Sequence, residues 1–203
     1  MGPVGREPAH LDGQLTRRTE ITGEAMAENV EGRTIPREVA LERRLQELLS
    51  RGRALMIATA ESCTGGGVAQ RITSIPGSSV YFRGGIVAYA NDVKLELLGV
   101  TQTILEHEGA VSEACARAMA EGARTALGSD ITVSTTGVAG PGGGSTRKPV
   151  GLVYVAVARR AETTVREHRF AGDRAAVVAA AIDAALEMLV AAVEETLACR
   201  GAQ

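Results

Sequence analysis

The sequence predicts a single-domain α/β protein, a layered α/β/α sandwich built on a mixed sheet. From residue 37 onward, short apolar or β-branched runs alternate with runs of helical periodicity, an order that is typical of a sheet covered by helices. The last two apolar runs are separated only by a short polar turn, which favours an antiparallel hairpin at one edge. No internal repeat is visible, and 203 residues are enough for one good core.

The N-terminal segment differs in composition from the rest of the chain. It is rich in Gly, Glu, Arg and Thr, contains Pro3 and Pro8, and shows no sustained apolar period. Such a segment buries too little apolar surface to offset the loss of chain entropy. We therefore predict a disordered tail over 1–36 and a globular domain over 37–200, and we note Met26 as an alternative start of translation.

The predicted domain begins with a helix and a strand. Apolar side chains recur at helical spacing after Pro36 as far as Gly52, which is a typical residue for a C-cap. The apolar run 54–60 predicts a buried strand. A short amphipathic helix follows it, and Pro76 and Gly77 end that helix.

The middle of the chain predicts two further helices between two strands. The run 84–89 reads as a buried strand, and Asn91 is a suitable N-cap for a short helix that Gly99 closes. Ser112 is a suitable N-cap for an Ala-rich helix. The β-branched run 131–136 then predicts a strand.

The last third predicts a glycine-rich loop, a hairpin and a long helix. The loop covers 137–144, and the strands 150–158 and 163–170 form the hairpin at the antiparallel edge. An Ala-rich helix then runs from Gly172 to about residue 197.

Charge and hydropathy exclude two classes of partner. The formal net charge is −2 and no basic stripe is present, so we expect no direct nucleic-acid contact. No apolar run approaches the roughly 20 residues of a membrane span, and the N-terminus has no signal-peptide pattern. We expect a cytoplasmic protein without membrane contact.

The cysteines indicate neither disulfides nor a metal. Cys63, Cys115 and Cys199 show no CxxC spacing and have no neighbouring histidine, so we expect reduced thiols, no metal and no cofactor. None of the three histidines is near a glycine-rich segment. A hydrolase built on this chain therefore needs a base other than histidine.

A hydroxyl and a thiol follow the strand 54–60 at a predicted strand-to-helix corner. Such corners often hold nucleophiles, because helix-start N–H groups stabilise an oxyanion. Ser62 is either a nucleophile or the N-cap of the next helix. Cys63 is either a nucleophile or a small buried apolar residue. Glu61 either orients a lysine or a ligand, or lies on the surface in the first helical turn.

Lys94 is the best candidate for a base acting on a serine. It lies in the first turn of a predicted helix, where the dipole disfavours a cation and lowers the pKa of the amine. Most lysines instead extend to solvent. Tyr89 either closes the sheet edge or relays a proton between Ser62 and Lys94.

The glycine-rich loop follows two hydroxyl residues, Thr135 and Thr136. A backbone without side chains lets N–H groups approach an anion, and the alternative is a flexible surface loop. The loop matches neither a Walker A motif nor a dinucleotide fingerprint. Arg174, at the start of the last helix, either binds a phosphate or carboxylate through a bidentate fork or is solvated.

Several separate motifs follow one another in the order and spacing of a known family. They are Ala60–Gly66 (AESCTGG), Pro76–Ser79 (PGSS), Gly85–Asn91 (GIVAYAN) with Lys94, Gly109–Ser112 (GAVS), Thr136–Pro141 (TGVAGP), Lys148–Gly151 (KPVG) and Gly172–Arg174 (GDR). On these motifs the chain resembles, from residue 40 to 197, the CinA C-terminal domain family of competence/damage-inducible proteins. That family includes a stand-alone nicotinamide mononucleotide amidohydrolase, PncC.

The resemblance implies a metal-free amidohydrolase of pyridine nucleotide recycling, which converts nicotinamide mononucleotide to nicotinate mononucleotide and ammonia. By position it implies that Ser62 is the nucleophile and Lys94 its base. Tyr89 is then a relay, and Thr136 holds the oxyanion or the amide. It further implies substrate-binding roles for Thr64, Gly65, Gly66, Ser79, Gly137, Gly140 and Arg174.

We expect an acyl-enzyme route in which N–H groups at the start of the 64–73 helix stabilise the oxyanion. Two alternatives stay open at this point. One is a non-enzymatic partner-binding module associated with competence or DNA damage, and the other is an amidase for a different small amide. The resemblance also implies a homo-oligomer, and the N-terminal tail does not resemble the additional domain of full-length CinA proteins.

Overall fold

The computed structural model describes residues 26–28, 34–50 and 55–201, with side chains from residue 41 onward. Within the predicted tail, Met26–Glu28 (β1) and Thr34–Pro36 (β2) pair as short antiparallel strands. These two strands differ from the predicted disorder, because their backbones are hydrogen-bonded to each other. The rest of the tail and the predicted cap Gly52 lie outside the described residues.

The main sheet has five strands in the order β4-β3-β5-β6-β7. They are β3 (Ile57–Glu61), β4 (Phe82–Val87), β5 (Ile131–Gly137), β6 (Leu152–Ala158) and β7 (Thr163–Arg169). β3 pairs in parallel with both β4 and β5, whereas β6 pairs antiparallel with β5 and β7. The predicted mixed sheet with an antiparallel hairpin at one edge is confirmed.

Helices cover both faces of this sheet. They are α1 (Arg37–Leu49), α2 (Gly67–Thr73), α3 (Asn91–Leu98), α4 (Glu113–Leu127) and α5 (Arg174–Gly201). The apolar side chains of Ile131 and Val133 in β5 face α1, α2 and α5. Ser134, the next residue of the strand, points to the opposite face, where it meets α4 and donates a hydrogen bond of 2.7 Å to the Ala116 carbonyl. The predicted α/β/α sandwich is therefore confirmed.

Two of the three predicted caps in the middle of the chain are confirmed. The Ser112 hydroxyl accepts a hydrogen bond of 3.1 Å from the Cys115 N–H at the start of α4. Gly99 ends α3 with a φ of 64°, a backbone conformation that favours glycine. The prediction for Asn91 was wrong by one residue, because Ala90 occupies the N-cap position and Asn91 is the first helical residue.

The prediction that no apolar run approaches the length of a membrane span was wrong for α5. This helix has 28 residues, and its most apolar window has a mean hydropathy of 2.1. However, 61% of that window is buried inside the protein, and the helix packs across the strands β5 and β6 and against α1. A helix that covers the centre of a sheet is apolar on most of its sides, so its composition imitates that of a membrane span.

Candidate active site

A cleft of about 300 Å³ opens at the carboxyl ends of β3 and β5, the edge at which ligands bind in open α/β sheets. Its volume lies at the lower end of the range for small-molecule sites. Five segments line it: Ser62 and Cys63 after β3, Tyr89, Asn91 and Lys94 around the start of α3, Ala110 and Val111 before α4, Thr136–Gly140 with Gly142 and Gly143 at the end of β5 and in the loop that follows it, and Arg174 of α5.

Ser62 and Lys94 meet in this cleft. Ser62 directly follows β3, and its backbone N–H donates a hydrogen bond of 2.9 Å to the Thr135 carbonyl of β5. The Nζ of Lys94 lies 3.1 Å from the Ser62 Oγ. The described residues offer the Ser62 hydroxyl no other hydrogen bond. The hydroxyl is therefore held against an amine within hydrogen-bond reach, as a nucleophile and its base require.

The surroundings of Lys94 favour its neutral form. The side chain is only 1% exposed, and burial lowers the pKa of its amine. Its Nζ also lies 2.7 Å from the Ala88 carbonyl and 3.1 Å from the Tyr89 carbonyl. A neutral amine that donates its two N–H groups to these carbonyls keeps its lone pair for the Ser62 hydroxyl. In the described part of the chain no carboxylate pairs with Lys94.

Burial is the largest cause of the lowered pKa of Lys94, whereas the prediction from the sequence rested on the helix dipole. Lys94 is the fourth residue of α3, and with only 1% of the residue exposed its side chain is almost wholly removed from solvent. The predicted strand 84–89 ends at Val87. The carbonyls of Ala88 and Tyr89 are thereby released from the sheet and accept hydrogen bonds from the amine.

Cys63 lines the same cleft but is a poor nucleophile. It is 8% exposed, and burial raises the pKa of its thiol to about 11. Burial likewise raises the pKa of Cys115 to about 11. Since the thiolate is the reactive form of cysteine, both thiols are largely unreactive at neutral pH. The interpretation of Cys63 as a small buried residue fits the structure better than that of a nucleophile.

Glu61, the last residue of β3, turns its carboxylate inward and is 1% exposed. Its Oε2 accepts hydrogen bonds from the Thr64 hydroxyl at 2.7 Å and from the N–H groups of Gly66 and Val68 at 3.0 Å each. Its Oε1 accepts one of 2.8 Å from the Ala69 N–H. The sequence interpretations of Glu61 are therefore corrected: the residue is not on the surface, its carboxylate binds no lysine, and it does not line the cleft where a ligand would bind.

The Glu61 contacts also correct the predicted oxyanion site. The N–H groups of Gly66, Val68 and Ala69, which open α2, are already donated to Glu61. They cannot also stabilise an oxyanion beside Ser62. Nor does Ser62 cap this helix, because α2 begins at Gly67 with Gly66 in the N-cap position.

Three residues to which the resemblance assigns substrate binding instead shape the corner. The Thr64 hydroxyl bonds to Glu61 and, at 2.7 Å, to the Thr135 hydroxyl. Gly65 and Gly66 have φ values of 61° and 99°, which only glycine adopts readily. None of the three lines the cleft.

Ser79 also lies outside the cleft. It is in the short 3₁₀ turn Ser78–Val80 that precedes β4, whereas the cleft lies beyond the carboxyl ends of the parallel strands. A residue that precedes a parallel strand belongs to the opposite edge of the sheet. The structure therefore does not bring Ser79 together with Ser62.

The end of β5 and the loop that follows it form the opposite wall of the cleft. The Thr136 hydroxyl donates a hydrogen bond of 2.7 Å to the Ala110 carbonyl, so its oxygen remains only an acceptor for a ligand. Gly137 packs so closely on β6 that a Cβ would lie 2.7 Å from the Leu152 carbonyl oxygen. Gly140, with a φ of 84°, turns its carbonyl towards Arg174.

Arg174 links the two walls at the mouth of the cleft. Its Nη1 donates to the Gly140 carbonyl and its Nη2 to the Tyr89 hydroxyl, both at 2.9 Å. In the described residues no hydrogen bond joins the Tyr89 hydroxyl to Ser62 or Lys94, so the phenol is not placed as the predicted relay. Tyr89 instead reaches the lysine through its backbone carbonyl.

Two features of this site were not predicted from the sequence. The carbonyls of Ala88 and Tyr89 are backbone groups, for which the sequence carries no signal. Asn91 was interpreted only as a cap, although it lines the cleft.

Among the residues that the structure describes, no group of three or more His, Cys, Asp or Glu side chains could hold a metal ion.

Comparisons with known proteins agree on one family. The family model described as the CinA C-terminal domain matches residues 38–193. A CinA-like protein of Thermosynechococcus vestitus is 58% identical over 119 residues, which are 58% of this chain and 29% of that protein. A putative competence-damage inducible protein of Halothermothrix orenii is 43% identical over 171 residues, 84% of this chain and 40% of that protein. This chain thus spans about a third of the length of these relatives.

A solved structure shows the same fold. The crystal structure of the competence/damage inducible protein CihA from Agrobacterium tumefaciens superposes with a TM-score of 0.74 at 42% identity. The match covers 77% of this chain and 96% of that one. A CinA superfamily protein from Klebsiella pneumoniae gives a TM-score of 0.73 at 34% identity, over 78% of this chain and 98% of that one.

Proposed function

Since this chain belongs to the CinA C-terminal domain family, which includes amidases, we propose that its cleft hydrolyses the carboxamide of nicotinamide mononucleotide. The products are nicotinate mononucleotide and ammonia. The observation that supports this most directly is the 3.1 Å contact between the Ser62 hydroxyl and the buried Lys94 amine. A buried lysine without a carboxylate partner is unusual unless its neutral form is used.

In the proposed reaction the neutral Lys94 amine takes the Ser62 proton while Oγ attacks the carboxamide carbon. The resulting tetrahedral intermediate collapses when Lys94 returns the proton to the leaving nitrogen, which departs as ammonia. Water then attacks the acyl-enzyme by the same proton transfers, and Ser62 is regenerated. The two carbonyls of Ala88 and Tyr89 hold the amine in the orientation that this shuttle needs.

We assign the oxyanion to the N–H group of Cys63, which lines the cleft. Within the described residues, this N–H group donates to no other residue, whereas those of Gly65 and Gly67 donate to the carbonyls of Ser62 and Thr64, and those of Gly66 and Val68 donate to Glu61. Such a donor is typically worth about 3 kcal/mol in the transition state. The Thr136 oxygen, which can only accept, suits the N–H of the substrate carboxamide rather than the oxyanion.

We assign the phosphate of the substrate to the mouth of the cleft. Two of the five guanidinium N–H groups of Arg174 are used for Gly140 and Tyr89, and the others remain for an anion. The backbone of Gly142 and Gly143 lines the cleft without side chains, so their N–H groups can approach the same phosphate.

The proposal is tested by measuring ammonia release from nicotinamide mononucleotide by the purified protein and by its Ser62→Ala variant. We expect release by the wild type and none by the variant. A panel of other small amides measured in parallel identifies a different substrate. Absence of ammonia from every amide would support the alternative of a non-enzymatic partner-binding module associated with competence or DNA damage, the processes after which relatives of this chain are named.

Location and assembly belong to the same proposal. The three cysteines are free in the structure, as is usual in the reducing cytoplasm, where we place the protein. We also propose a homo-oligomer, with neither direct nucleic-acid binding nor membrane association. Light scattering of the purified protein gives the assembly state directly.

A further inference from the structure

We propose that Glu61 is a positioning residue for the Ser62 nucleophile, an inference that rests on the proposed function of the cleft. Glu61 does not contact the cleft; it acts through the turn 62–66. Its carboxylate fixes that turn so that the Ser62 hydroxyl faces Lys94. It also leaves the N–H group of Cys63 as the donor for the oxyanion.

The geometry supports a fixed turn rather than a simple helix cap. Glu61 ends β3, so its backbone is held in register by β4 and β5 on both sides. Its side chain reaches forward over eight residues to the Ala69 N–H. The chain between these anchors contains Ser62, and Gly65 and Gly66 supply the left-handed turns that bring it back.

The carboxylate receives only donors. One hydroxyl and three backbone N–H groups point at its two oxygens, which is the full complement that a carboxylate at a helix start can use. A glutamine of the same shape presents one oxygen and one NH₂ group. Its NH₂ group would face either the Ala69 N–H or the donors at Oε2, and the turn would have to shift to separate them.

A second buried carboxylate provides a matched control. Glu42 of α1 is 3% exposed and binds Arg71, a residue of the same helix α2 that Glu61 caps. Arg71 also binds Asp183 of α5, and none of these residues lines the cleft. Both carboxylates therefore anchor α2, but only Glu61 is covalently joined to the nucleophile.

The experiment compares Glu61→Gln with Glu42→Gln in the full chain. The first readout is kcat and KM for ammonia release from nicotinamide mononucleotide. The second is the rate at which p-nitrophenyl acetate acetylates Ser62, followed as p-nitrophenolate and by peptide mass. In that step the Ser62 oxygen bonds to the acetyl carbon, p-nitrophenolate leaves, and Lys94 takes the hydroxyl proton. Thermal unfolding of each variant gives the fraction folded.

For E61Q we expect kcat and the acetylation rate to fall on the order of 10- to 100-fold, since a misplacement of about 1 Å has such effects. KM should stay within about threefold, because the substrate contacts are untouched. E42Q should lower the melting temperature with both rates near those of the wild type. If E61Q does not fold, Thr64→Val, which removes one donor to Glu61, should show a smaller loss in the same direction.

The outcomes separate the inference from the proposed function. Equal rates in E61Q and the wild type, or equal losses in E61Q and E42Q that follow the fraction unfolded, would overturn the positioning role. A wild type that is acetylated on Ser62 but releases no ammonia would refute the proposed substrate, and a slower E61Q would still support the inference. A wild-type Ser62 that neither acetylates nor turns over any amide would overturn both.

Discussion

Lys94 and Arg71 are both basic side chains placed inside the fold, and the protein surrounds them in opposite ways. Arg71, whose side chain is 16% exposed, lies between the carboxylates of Glu42 and Asp183. Burial acts to lower its pKa, but the hydrogen bonds to the two carboxylates outweigh this and raise the pKa. Lys94 is surrounded by carbonyls, a hydroxyl and apolar side chains, and burial lowers its pKa.

The difference indicates what each of the two basic side chains does. A guanidinium with two carboxylates ties α1, α2 and α5 together as a permanent charge. An amine with only neutral oxygen partners can lose its proton, because no anion holds the charge in place. The first arrangement serves stability, and the second serves proton transfer to and from Ser62.

The largest effect on kcat is expected when the pair of Ser62 and Lys94 is broken. Ser62→Ala and Lys94→Ala should each lower kcat for ammonia release by on the order of 10³-fold or more, because nucleophile and base act as one unit. The Kd of the substrate, measured by calorimetry, should stay within about threefold, because nucleophile and base act in the chemical step rather than in binding. Arg71→Met is the control and should keep kcat per folded molecule. A Lys94→Ala variant with near wild-type turnover would refute the role of Lys94 in proton transfer.

The next effect concerns the first arrangement. Arg71→Met leaves the carboxylates of Glu42 and Asp183 without their shared cation, and we expect the free energy of unfolding to fall by about 3 kcal/mol in urea titrations. Arg44→Met is the matched control, because Arg44 pairs with Glu194 at the surface, with side chains 49% and 43% exposed. That variant should lose less than about 1 kcal/mol. Equal losses would remove the distinction between buried and surface pairs.

Much of the fold could be predicted from the sequence, because the spacing of apolar residues indicates strands and helices and because capping residues mark where helices begin and end. The alternation of apolar strands and helices predicted the layers, and Gly99 and Ser112 marked helix ends that the structure confirms. The proximity of Ser62 and Lys94 rested on the motif resemblance. Spacing along the chain alone could not show that the residue after β3 meets the fourth residue of α3.

The wrong predictions share one physical cause: the same residue type can have several structural roles, and the sequence alone does not show which role it has. Glu61 reads as an ordinary helix-start carboxylate, and only the coordinates show that it turns inward and takes the donors predicted for the oxyanion. The assignment of Ser79 to substrate binding could have been avoided, since a residue that precedes a parallel strand lies at the edge of the sheet opposite the cleft. The apolarity of α5 reflects the centre of the sheet that it covers.

A smaller effect tests the lowered pKa of Lys94 through stability. The unfolded chain holds the Lys94 proton up to the ordinary pKa of about 10.4, whereas the folded chain releases it at a lower pH. Between these two values the unfolded state binds more protons, so the wild type gains stability as pH rises. The free energy of unfolding of wild type minus that of Lys94→Met should therefore increase with pH, by about 1.4 kcal/mol for each pH unit that separates the folded pKa from the unfolded one.

This pH dependence is measured by urea unfolding at a series of pH values above 6, with Arg71→Met as control. The pKa of Arg71 is raised in the fold, so its difference from wild type should not increase with pH across the same range. A flat difference for Lys94→Met would mean that the amine keeps its proton in the fold. The neutral base would then be refuted independently of any substrate.

The smallest effect separates the two ways in which Tyr89 touches the site. Its carbonyl accepts a hydrogen bond from Lys94, while its hydroxyl accepts one from Arg174 at the mouth of the cleft. Tyr89→Phe removes only the second contact, since every residue keeps the carbonyl. We expect kcat to stay within about twofold and KM to rise about threefold, because a freed Arg174 binds the phosphate less well. If Tyr89 were a proton relay, kcat would instead fall 10²-fold or more, and steady-state kinetics with the mononucleotide distinguishes the two results.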